Sequence, residues 1–554
     1  MGRNILFITT DQQRYDSLGC NGGTIARTPV VDGLAAAGIN FRGAYCNSTV
    51  CTPARSTILT GQYIRTHGAV ANGVPLPVDA PSVAAHLGEQ AGYRTALLGK
   101  AHFEPGLDLH ADYQETQLGR SGETGPMRGF EHVELVMHGS LPPLHYSRWL
   151  QEHHPEHMGS YVRVLSAERG GDTGMIETKN NPIPRAWYHT DWVADRTVAY
   201  LDGLAADDDW FVWMSFPDPH HPWDPPAEEL HRVDWHDLPM PPGHPGSDDA
   251  VRRVLERKPA HWLACWDGRF INMEGGPASY RPARVTDDQF REVNAKTHVM
   301  NELIDEACGR VLDRVAARGW AERTDVFFTT DHGELQGDLG LLFKGPFHVE
   351  SLMHIPMVWR PAPCATVSAD EVHEPVGQVD LAPTFCEIAG VAPADWMQGA
   401  ALPQAGRSGR ERALCEWDSQ FPGYGMHLRS IVRDGWLCTA YEPTTRNQPN
   451  GLERWFADLP LQVRDLLGLD DNPMGPQSPI DYDGTEGELY NLGDDPHQFE
   501  NLWDDPKHRS VRRDLVADLY DSLPEPRAEP LLVARPAYPA DPPRGGRDAD
   551  PAHP

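Results

Sequence analysis

Asn4-Ile5-Leu6-Phe7-Ile8-Thr9-Thr10-Asp11-Gln12 decides the fold, because a similar run, Phe327-Phe328-Thr329-Thr330-Asp331-His332, returns late in the sequence. Each run joins a stretch of apolar, aromatic and β-branched residues to a polar pair. Arg94–Leu98 and Trp210–Ser215 have the same apolar character. Short continuous apolar runs are typical of strands that are buried on both faces of a sheet. The four runs therefore predict a sheet at the centre of the protein.

Segments with the apolar spacing of amphipathic helices lie between these strands, at residues Val31–Ala37, Ser82–Ala91, Asp191–Leu204 and Asp287–Ala317. Strands that alternate with helices form βαβ units, and these units build parallel sheets. We therefore predict an α/β fold with a doubly wound, mostly parallel sheet.

Two long stretches interrupt this alternation, at about residues 120–185 and 225–280. Both are rich in Gly, Pro, His and Trp. Long loops in compact domains commonly cover a functional site. We expect residues 1–405 to form one large domain in which these two insertions roof the site.

A smaller unit is predicted for residues 406–524. Closely spaced strand-like runs at Arg412–Trp417, Ser430–Val432 and Gly435–Tyr441 indicate an antiparallel sheet, and a helix is predicted at Arg509–Leu523. This part of the chain therefore has the pattern of an α+β domain.

Residues 525–554 are dominated by Pro, Ala, Arg and Asp and are poor in apolar residues. Such a segment cannot bury enough apolar surface to pack by itself. Two readings stay open for it: a disordered tail, or an arm that lies on a neighbouring subunit of a homo-oligomer.

The composition excludes two classes of partner. The formal net charge is −32, and contacts with a nucleic-acid backbone need clustered Lys and Arg. No apolar stretch reaches the length of about 18 residues that a membrane-spanning helix requires. We therefore expect neither nucleic acid nor membrane as a partner.

The cysteines and the N-terminal residues indicate the compartment. Nine cysteines are scattered without metal-ligand spacing, and the first residues lack the pattern of a signal peptide. These features favour reduced thiols and a cytoplasmic protein.

The polar pairs after the first and last of the four strands predict a metal site. The carboxyl ends of adjacent parallel strands meet at one edge of a sheet, so Asp11, Gln12, Asp331 and His332 would lie together. Three hard oxygens and one imidazole suit a divalent cation, Ca²⁺ first, with Mn²⁺ or Mg²⁺ as alternatives. The competing interpretation is that each aspartate only caps the loop or helix that follows it.

A reactive position is predicted in the run Cys51-Thr52-Pro53-Ala54-Arg55-Ser56-Thr57-Ile58-Leu59-Thr60-Gly61. Cys51 would open a helix with proline in its first turn, where backbone N–H groups and the guanidinium of Arg55 could stabilise an oxyanion. The run resembles the signature of the type I sulfatases, in the alkaline phosphatase superfamily. That resemblance implies that a formylglycine-generating enzyme oxidises Cys51 to formylglycine (3-oxoalanine). It also implies that the hydrate of the aldehyde is a metal ligand, is held by Arg55, and attacks the ester.

Other segments resemble the same family. Lys100 and His102 follow the strand at Arg94–Leu98, and alternation along a strand would point both side chains the same way. The resemblance assigns contacts with the anion to Lys100, His220 and Lys344, support of turnover to His102, and anion binding to Asn72. The competing interpretations are ordinary surface residues for the lysines and for His102, and a turn residue for Asn72.

The metal-site residues depart from the usual family pattern. The family pairs two carboxylates early in the chain and an Asp-Asn pair later, whereas this chain has Gln12 and His332. Such variants look more like choline sulfatases and phosphonate monoester hydrolases. The resemblance covers roughly residues 4 to 506, since the segment from Glu488 to Leu502 is similar to the closing signature of sulfatase C-terminal domains.

Three functions remain open on the sequence. The first is a formylglycine sulfatase that acts on a small alkyl, aryl or sugar sulfate, with residues 1–405 as the catalytic domain. The second is a phosphonate monoester or phosphodiester hydrolase on the same scaffold, which Gln12, Asn72 and His332 favour. The third is a non-catalytic anion-binding protein. An unmodified Cys51 thiolate would form a stable adduct with the transferred group, which is the physical reason to expect its modification.

Overall fold

The computed structural model describes residues 2–529 and 531, apart from 107, 109–110, 164–167, 271, 273, 275, 278–279, 405–408, 420–425, 444–479 and 481. Its strands are β1 Asn4–Thr10, β2 Ile39–Phe41, β3 Ala44–Tyr45, β4 Arg94–Gly99, β5 His132–Leu135, β6 Arg169–Gly170, β7 Met175–Ile176, β8 Trp210–Ser215, β9 Thr324–Thr330, β10 Met357–Arg360, β11 Asp370–Val372, β12 Val376–Gly377, β13 Ala413–Asp418, β14 His427–Arg433, β15 Trp436–Glu442 and β16 Gly487–Asn491. Its α-helices are α1 Pro29–Ala37, α2 Cys51–Thr60, α3 Ile64–His67, α4 Val83–Ala91, α5 Gln114–Ser121, α6 His145–His153, α7 His189–Gly203, α8 Asp248–Leu255, α9 Ala260–Trp266, α10 Asp287–Ala317, α11 Glu350–Met353, α12 Leu381–Ala389 and α13 Arg509–Ser522.

An eight-stranded sheet forms the centre of the protein, in the order β11-β2-β10-β9-β1-β8-β4-β5. Strands β9, β1, β8, β4 and β5 are parallel to their neighbours in this group, whereas β10 is antiparallel to both β9 and β2. The predicted α/β fold with a mostly parallel sheet is therefore confirmed. The long crossovers between β1, β8 and β9 bring strands from distant parts of the chain side by side.

Both faces of the sheet are buried, which explains the continuous apolar runs in the sequence. Ile5 and Phe7 of β1 belong to a core shared with helices α4 and α12. Leu6 and Ile8, which point to the opposite face, belong to a second core shared with α1, α7 and α10. Helices therefore cover the sheet on both sides, as the doubly wound arrangement requires.

The four helices predicted from apolar spacing are confirmed, and each observed end lies within two residues of the predicted one. Helix α10 has the predicted bounds. Its start is readable in the sequence because Thr286 and Gln289 form a reciprocal capping box. Ser82 likewise caps α4 by accepting a hydrogen bond from the N–H of Ala85.

The C-terminal sheet is antiparallel, in the order β13-β14-β15-β16, and α13 packs against β14 and β15. Three of its strands and the helix were predicted. The fourth strand, β16, lies in the segment that the sequence marked only as a family signature. Several apolar side chains of this C-terminal sheet share a core with the large sheet.

The predicted limits of the two domains stay a prediction, because residues 405–408 lie outside the described residues. The predicted tail is described only for residues 525–529 and 531. In the part of the chain that the structure describes, no helix combines the length and the apolar composition needed to cross a bilayer.

Gly99 ends β4 where two strands approach closely. Its φ is +117°, and a β-carbon there would lie 1.7 Å from the carbonyl oxygen of Ser215. We expect Gly99→Ala to lower the free energy of unfolding by about 3 kcal/mol, because backbone strain adds to overpacking against β8. Urea denaturation followed by circular dichroism measures this loss.

Gly92, which caps the C-terminus of α4 two residues before β4 begins, provides the matched control. Its φ is +71°, but a β-carbon there would meet no described atom within 4 Å. Gly92→Ala should cost only about 1 kcal/mol, the backbone strain alone. Equal losses for the two variants would contradict the role assigned to close strand packing.

Candidate active site

The site lies at the carboxyl edge of the large sheet, where β1 and β9 end side by side. Their register pairs Thr10 with Thr330, so the next residues, Asp11 and Asp331, leave the sheet together. The register therefore brings the polar pairs that follow these two strands to the same edge of the sheet.

Four buried side chains gather at this edge: Asp11, Cys51, Asp331 and His332. One ligand atom from each lies within 4.8 Å of the others. The Cys51 sulfur lies 3.7 Å from Oδ1 of Asp11 and 3.2 Å from Nε2 of His332. All four side chains are almost completely shielded from solvent. Sequence reasoning placed each of these residues at the metal site.

Helix α2 presents Cys51 at its first position. Proline at position 53 is tolerated in the first turn, where its missing N–H costs no helical hydrogen bond. Gly61 ends the helix in the left-handed region, with φ +67°. Every residue of α2 is buried, so the helix is a fixed support for residue 51.

Arg55, one turn further along α2, is bound to the two aspartates. Its Nε donates to Oδ2 of Asp331 at 2.9 Å, and its Nη2 donates to Oδ2 of Asp11 at 3.2 Å. Nη1 donates to the Lys100 carbonyl and to the Ser215 hydroxyl, both at 2.8 Å. The guanidinium therefore fixes the two carboxylates relative to α2.

Lys100 forms a buried ion pair with Asp11. Its Nζ also lies 4.0 Å from the Cys51 sulfur. Burial alone would raise the pKa of Asp11, but the charges of Lys100, Arg55 and Lys344 outweigh it and hold that pKa well below its usual value. Asp11 is thus a carboxylate at neutral pH.

The Cys51 thiol has the opposite behaviour. Burial raises its pKa to about 11, and the neighbouring Asp11 carboxylate adds to the rise. Because the thiolate is the reactive form of cysteine, an unmodified Cys51 would be a poor nucleophile at neutral pH.

Lys344 faces this group from the loop after β9. Its Nζ donates to Oε1 of Gln12 at 2.7 Å and lies 2.6 Å from Nε2 of His220. The loop is fixed on both sides of the lysine, because Asn272 donates to the Lys344 carbonyl and Thr49 donates to that of Gly345. Lys344, His220 and Gln12 therefore form one connected group.

The orientation argument for His102 is wrong. Strand β4 ends at Gly99, and His102 has a φ of +55°, so strand alternation does not relate it to Lys100. Instead, the carboxylate of Glu115 accepts from the backbone N–H groups of His102 and Phe103. The backbone of His102 is thus held by a helix, not by the strand that precedes it.

Asn72 binds the start of α2. Its Oδ1 accepts from the backbone N–H of Thr52 at 3.0 Å, and its Nδ2 donates to Glu274 at 2.8 Å. The side chain therefore links the first turn of α2 to the second insertion.

Sequence reasoning missed three residues around the site. Glu334 accepts from the side chain of Gln12, and Glu177 lies 3.6 Å from His221. His138 lies 2.9 Å from Lys100 Nζ. Only Glu334 had a readable signal, since it follows the polar pair at residues 331–332 closely. The other two come from the first insertion, whose sequence has no periodic pattern.

The donor set suits a hard divalent cation. Asp11 and Asp331 offer oxygens, His332 offers an imidazole nitrogen, and all three surround residue 51. A cation there would carry a charge opposite to the two carboxylates, as buried charges require. Hard divalent cations prefer oxygen ligands to sulfur, so residue 51 fits this set better with an oxygen as its ligand atom than with the cysteine sulfur.

Comparisons with known proteins agree with this geometry. The sulfatase family model matches residues 3–391. The chain is similar to the uncharacterized sulfatase YidJ of Escherichia coli (strain K12), with 27% identity over 532 residues that cover 94% of this chain and 88% of that protein. It is also similar to an arylsulfatase of Clostridium perfringens, with 26% identity over 484 residues that cover 85% of this chain and 90% of that protein.

A solved structure shares the fold. The phosphonate monoester hydrolase of Agrobacterium radiobacter superposes with a TM-score of 0.69 and 21% identity. The match covers 94% of this chain and 95% of that chain. The shared architecture therefore extends over both sheets.

Proposed function

The chain belongs to the sulfatase family, and on that premise we propose that it hydrolyses sulfate esters with a formylglycine made from Cys51 and one bound divalent cation. The observation that carries the proposal is the gathering of Asp11, Cys51, Asp331 and His332 within 4.8 Å at the carboxyl edge of the sheet. Residue 51 thus lies beside the carboxylates that would hold the cation.

Asp11, Gln12, Asp331, His332 and the modified residue 51 would hold the cation, with Ca²⁺ preferred over Mn²⁺ or Mg²⁺. When bound, the cation polarises the oxygens of the ester, and the formylglycine supplies a hydroxyl nucleophile in place of a thiol. Arg55 keeps the two carboxylates in position through its bonds to both.

Two lysines would neutralise the anionic group of the ester, which otherwise repels a nucleophile. Lys100 lies on the side of residue 51, and Lys344 lies on the side of His220. Burial and the nearby His138 and His221 rings lower the pKa of His220, so its imidazole is neutral and accepts a hydrogen bond from Lys344. This pair is suited to donate the proton that the departing alcohol needs.

His102 would accept a proton near residue 51 during turnover. Its Nδ1 is buried and has no hydrogen-bond partner among the described residues. Burial and the charge of Lys100 lower the pKa of His102, so its ring is neutral. Asn72 would contribute to anion binding through the second hydrogen of its Nδ2, since the first is directed at Glu274.

The substrate class that we propose is a small alkyl, aryl or sugar sulfate. The name of the Clostridium perfringens relative, an arylsulfatase, supports the aryl case. A formylglycine-generating enzyme is the partner that the modification requires. A homo-oligomer formed through the C-terminal tail and a cytoplasmic location stay predictions.

A second candidate is hydrolysis of phosphonate monoesters or phosphodiesters at the same site. Gln12 and His332 favour it, and so does the fold shared with the Agrobacterium radiobacter phosphonate monoester hydrolase. The two candidates differ in substrate and not in the residues that carry the reaction.

Rates with two matched esters separate the candidates. The two esters share a leaving group and differ in the anionic part, so the comparison isolates the preference for sulfur or phosphorus. For a sulfatase we expect kcat/KM for 4-nitrophenyl sulfate to exceed that for the 4-nitrophenyl ester of phenylphosphonate. The opposite order would support the second candidate. Turnover of neither ester by protein that carries the aldehyde would contradict both.

Mass spectrometry of the tryptic peptide from Gly43 to Arg55 tests the modification directly. Protein from its native cell should carry an aldehyde at residue 51. A plain thiol in active enzyme would overturn the proposed nucleophile.

A further inference from the structure

His138 lies in the loop after β5, within the first insertion, and its ring is half-buried. Its Nε2 lies 2.9 Å from Nζ of Lys100. The ring stacks on that of His220, with a centroid separation of 4.0 Å and an angle of 24° between the planes. His138 therefore contacts both a lysine and a histidine of the proposed anion site.

The contact repeats an arrangement on the other side of the site. Lys344 Nζ lies 2.6 Å from Nε2 of His220, just as Lys100 Nζ lies close to Nε2 of His138. Since an ammonium group can only donate, both Nε2 atoms act as acceptors and the ring hydrogen of each histidine is on Nδ1. Two lysine–imidazole pairs thus lie side by side, joined by the stacked rings.

The three protons of the Lys100 ammonium have three directions in this structure. One is directed at the Asp11 carboxylate, one at Nε2 of His138, and one toward the sulfur of Cys51 at 4.0 Å. A lysine side chain has a flexible four-carbon stem, so a single partner does not fix the direction of its remaining protons. The acceptor on His138 supplies the second fixed point.

We propose that His138 is a positioning residue of the reaction, which holds the Lys100 ammonium so that its third proton faces the reacting group at residue 51. The inference rests on the proposed function for the chemistry that Lys100 serves. Without the acceptor, Lys100 would turn about its bond to Asp11, and the anion would lose an oriented donor. Burial and the neighbouring ammonium lower the pKa of His138, so the neutral ring keeps its acceptor at the pH of turnover.

Two variants separate the acceptor from the ring. His138→Gln keeps an acceptor oxygen at about the reach of Nε2 but removes the stacked ring, whereas His138→Phe keeps a ring on His220 and removes the acceptor. His132→Phe is the matched control, because this histidine begins β5 and contacts Glu134 outside the site. The measurements are kcat/KM, the Kd of inorganic sulfate by calorimetry, and Tm.

We expect His138→Phe to lower kcat/KM by about 10–100-fold, the usual effect of removing a partner that orients a site residue. Its Kd for sulfate should rise about tenfold while Tm stays close to that of the wild type. His138→Gln should recover most of both losses, and His132→Phe should match the wild type.

Wild-type values in His138→Phe, or a His138→Gln variant no better than it, would overturn the inference. A wild-type protein that binds no sulfate would also overturn it. The sulfate titration needs no turnover and no aldehyde at residue 51. If the Kd values for sulfate follow the expected order but the protein cleaves neither ester, only the proposed function is contradicted. If the enzyme is active but the wild type and all variants have the same Kd for sulfate, only the role of His138 is contradicted.

Discussion

Replacement of Cys51 by alanine should lower kcat/KM for 4-nitrophenyl sulfate by at least about 10⁴-fold, the scale seen when an enzyme loses its nucleophile. The reason is that residue 51 lies at the start of α2, within 4.8 Å of ligand atoms of Asp11 and Asp331 and 4.0 Å from Nζ of Lys100. On the proposed function, the lysines and the cation would still bind the ester in the variant, but no group would replace the attacking oxygen of residue 51. Initial rates over a range of substrate concentrations measure the loss in kcat/KM.

Cys386→Ala is the matched control for this variant. Cys386 is also a buried helical cysteine, in α12, but its sulfur contacts Met397 in the apolar core. We expect wild-type kcat/KM and a loss of stability of about 1 kcal/mol from the small cavity. Retention of a tenth of the wild-type rate in Cys51→Ala would contradict the role of residue 51.

The juxtaposition of the two aspartates could be predicted because it follows from a general property of sheets. Parallel strands end at the same edge, so Asp11 and Asp331 could be placed together once β1 and β9 were recognised as buried strands. The strands themselves were readable because burial on both faces removes polar residues from them. The start of α2 at Cys51 was readable for a similarly local reason, since proline prefers the first turn of a helix.

The contacts of the lysines could not be predicted in the same way. His138 reaches Lys100 from an insertion whose path depends on packing against other loops, and no periodic pattern reports such a path. Strand alternation does not determine the orientation of His102, because β4 ends at Gly99 and His102 has a φ of +55°. A left-handed residue that is not glycine is uncommon, and here Glu115 stabilises it from a distant helix.

The hydrogen-bond partners of Arg55 could not be predicted from the sequence either. The resemblance directed its guanidinium at the nucleophile, whereas the structure has it bonded to both aspartates. Which nearby acceptors a guanidinium binds depends on side-chain angles that spacing along α2 does not determine. Because of these contacts, we expect removal of the Arg55 side chain to lower the stability of the protein as well as its activity.

Arg55→Met should lower the free energy of unfolding by about 3–5 kcal/mol, because it leaves two buried carboxylates with less compensating charge. Arg94→Met is the matched control, since the ion pair of Arg94 with Glu131 is about half exposed and such pairs contribute about 1 kcal/mol or less. Urea denaturation in the presence of EDTA measures both variants. Equal losses would contradict the role assigned to Arg55.

The pH dependence of the Arg55→Met effect provides a sharper test. Nearby cations hold the pKa of Asp11 well below its ordinary value of 3.8, so its contribution to stability is complete above that pH and is lost as the pH falls below it. Removal of Arg55 weakens this depression. The difference in the free energy of unfolding between wild type and variant should therefore be constant at neutral pH and shrink below pH 3.8. Added Ca²⁺ should reduce this difference at neutral pH, because the ion would restore positive charge between the same carboxylates. A difference that neither acid nor Ca²⁺ reduces would show that Arg55 stabilises the protein through packing alone.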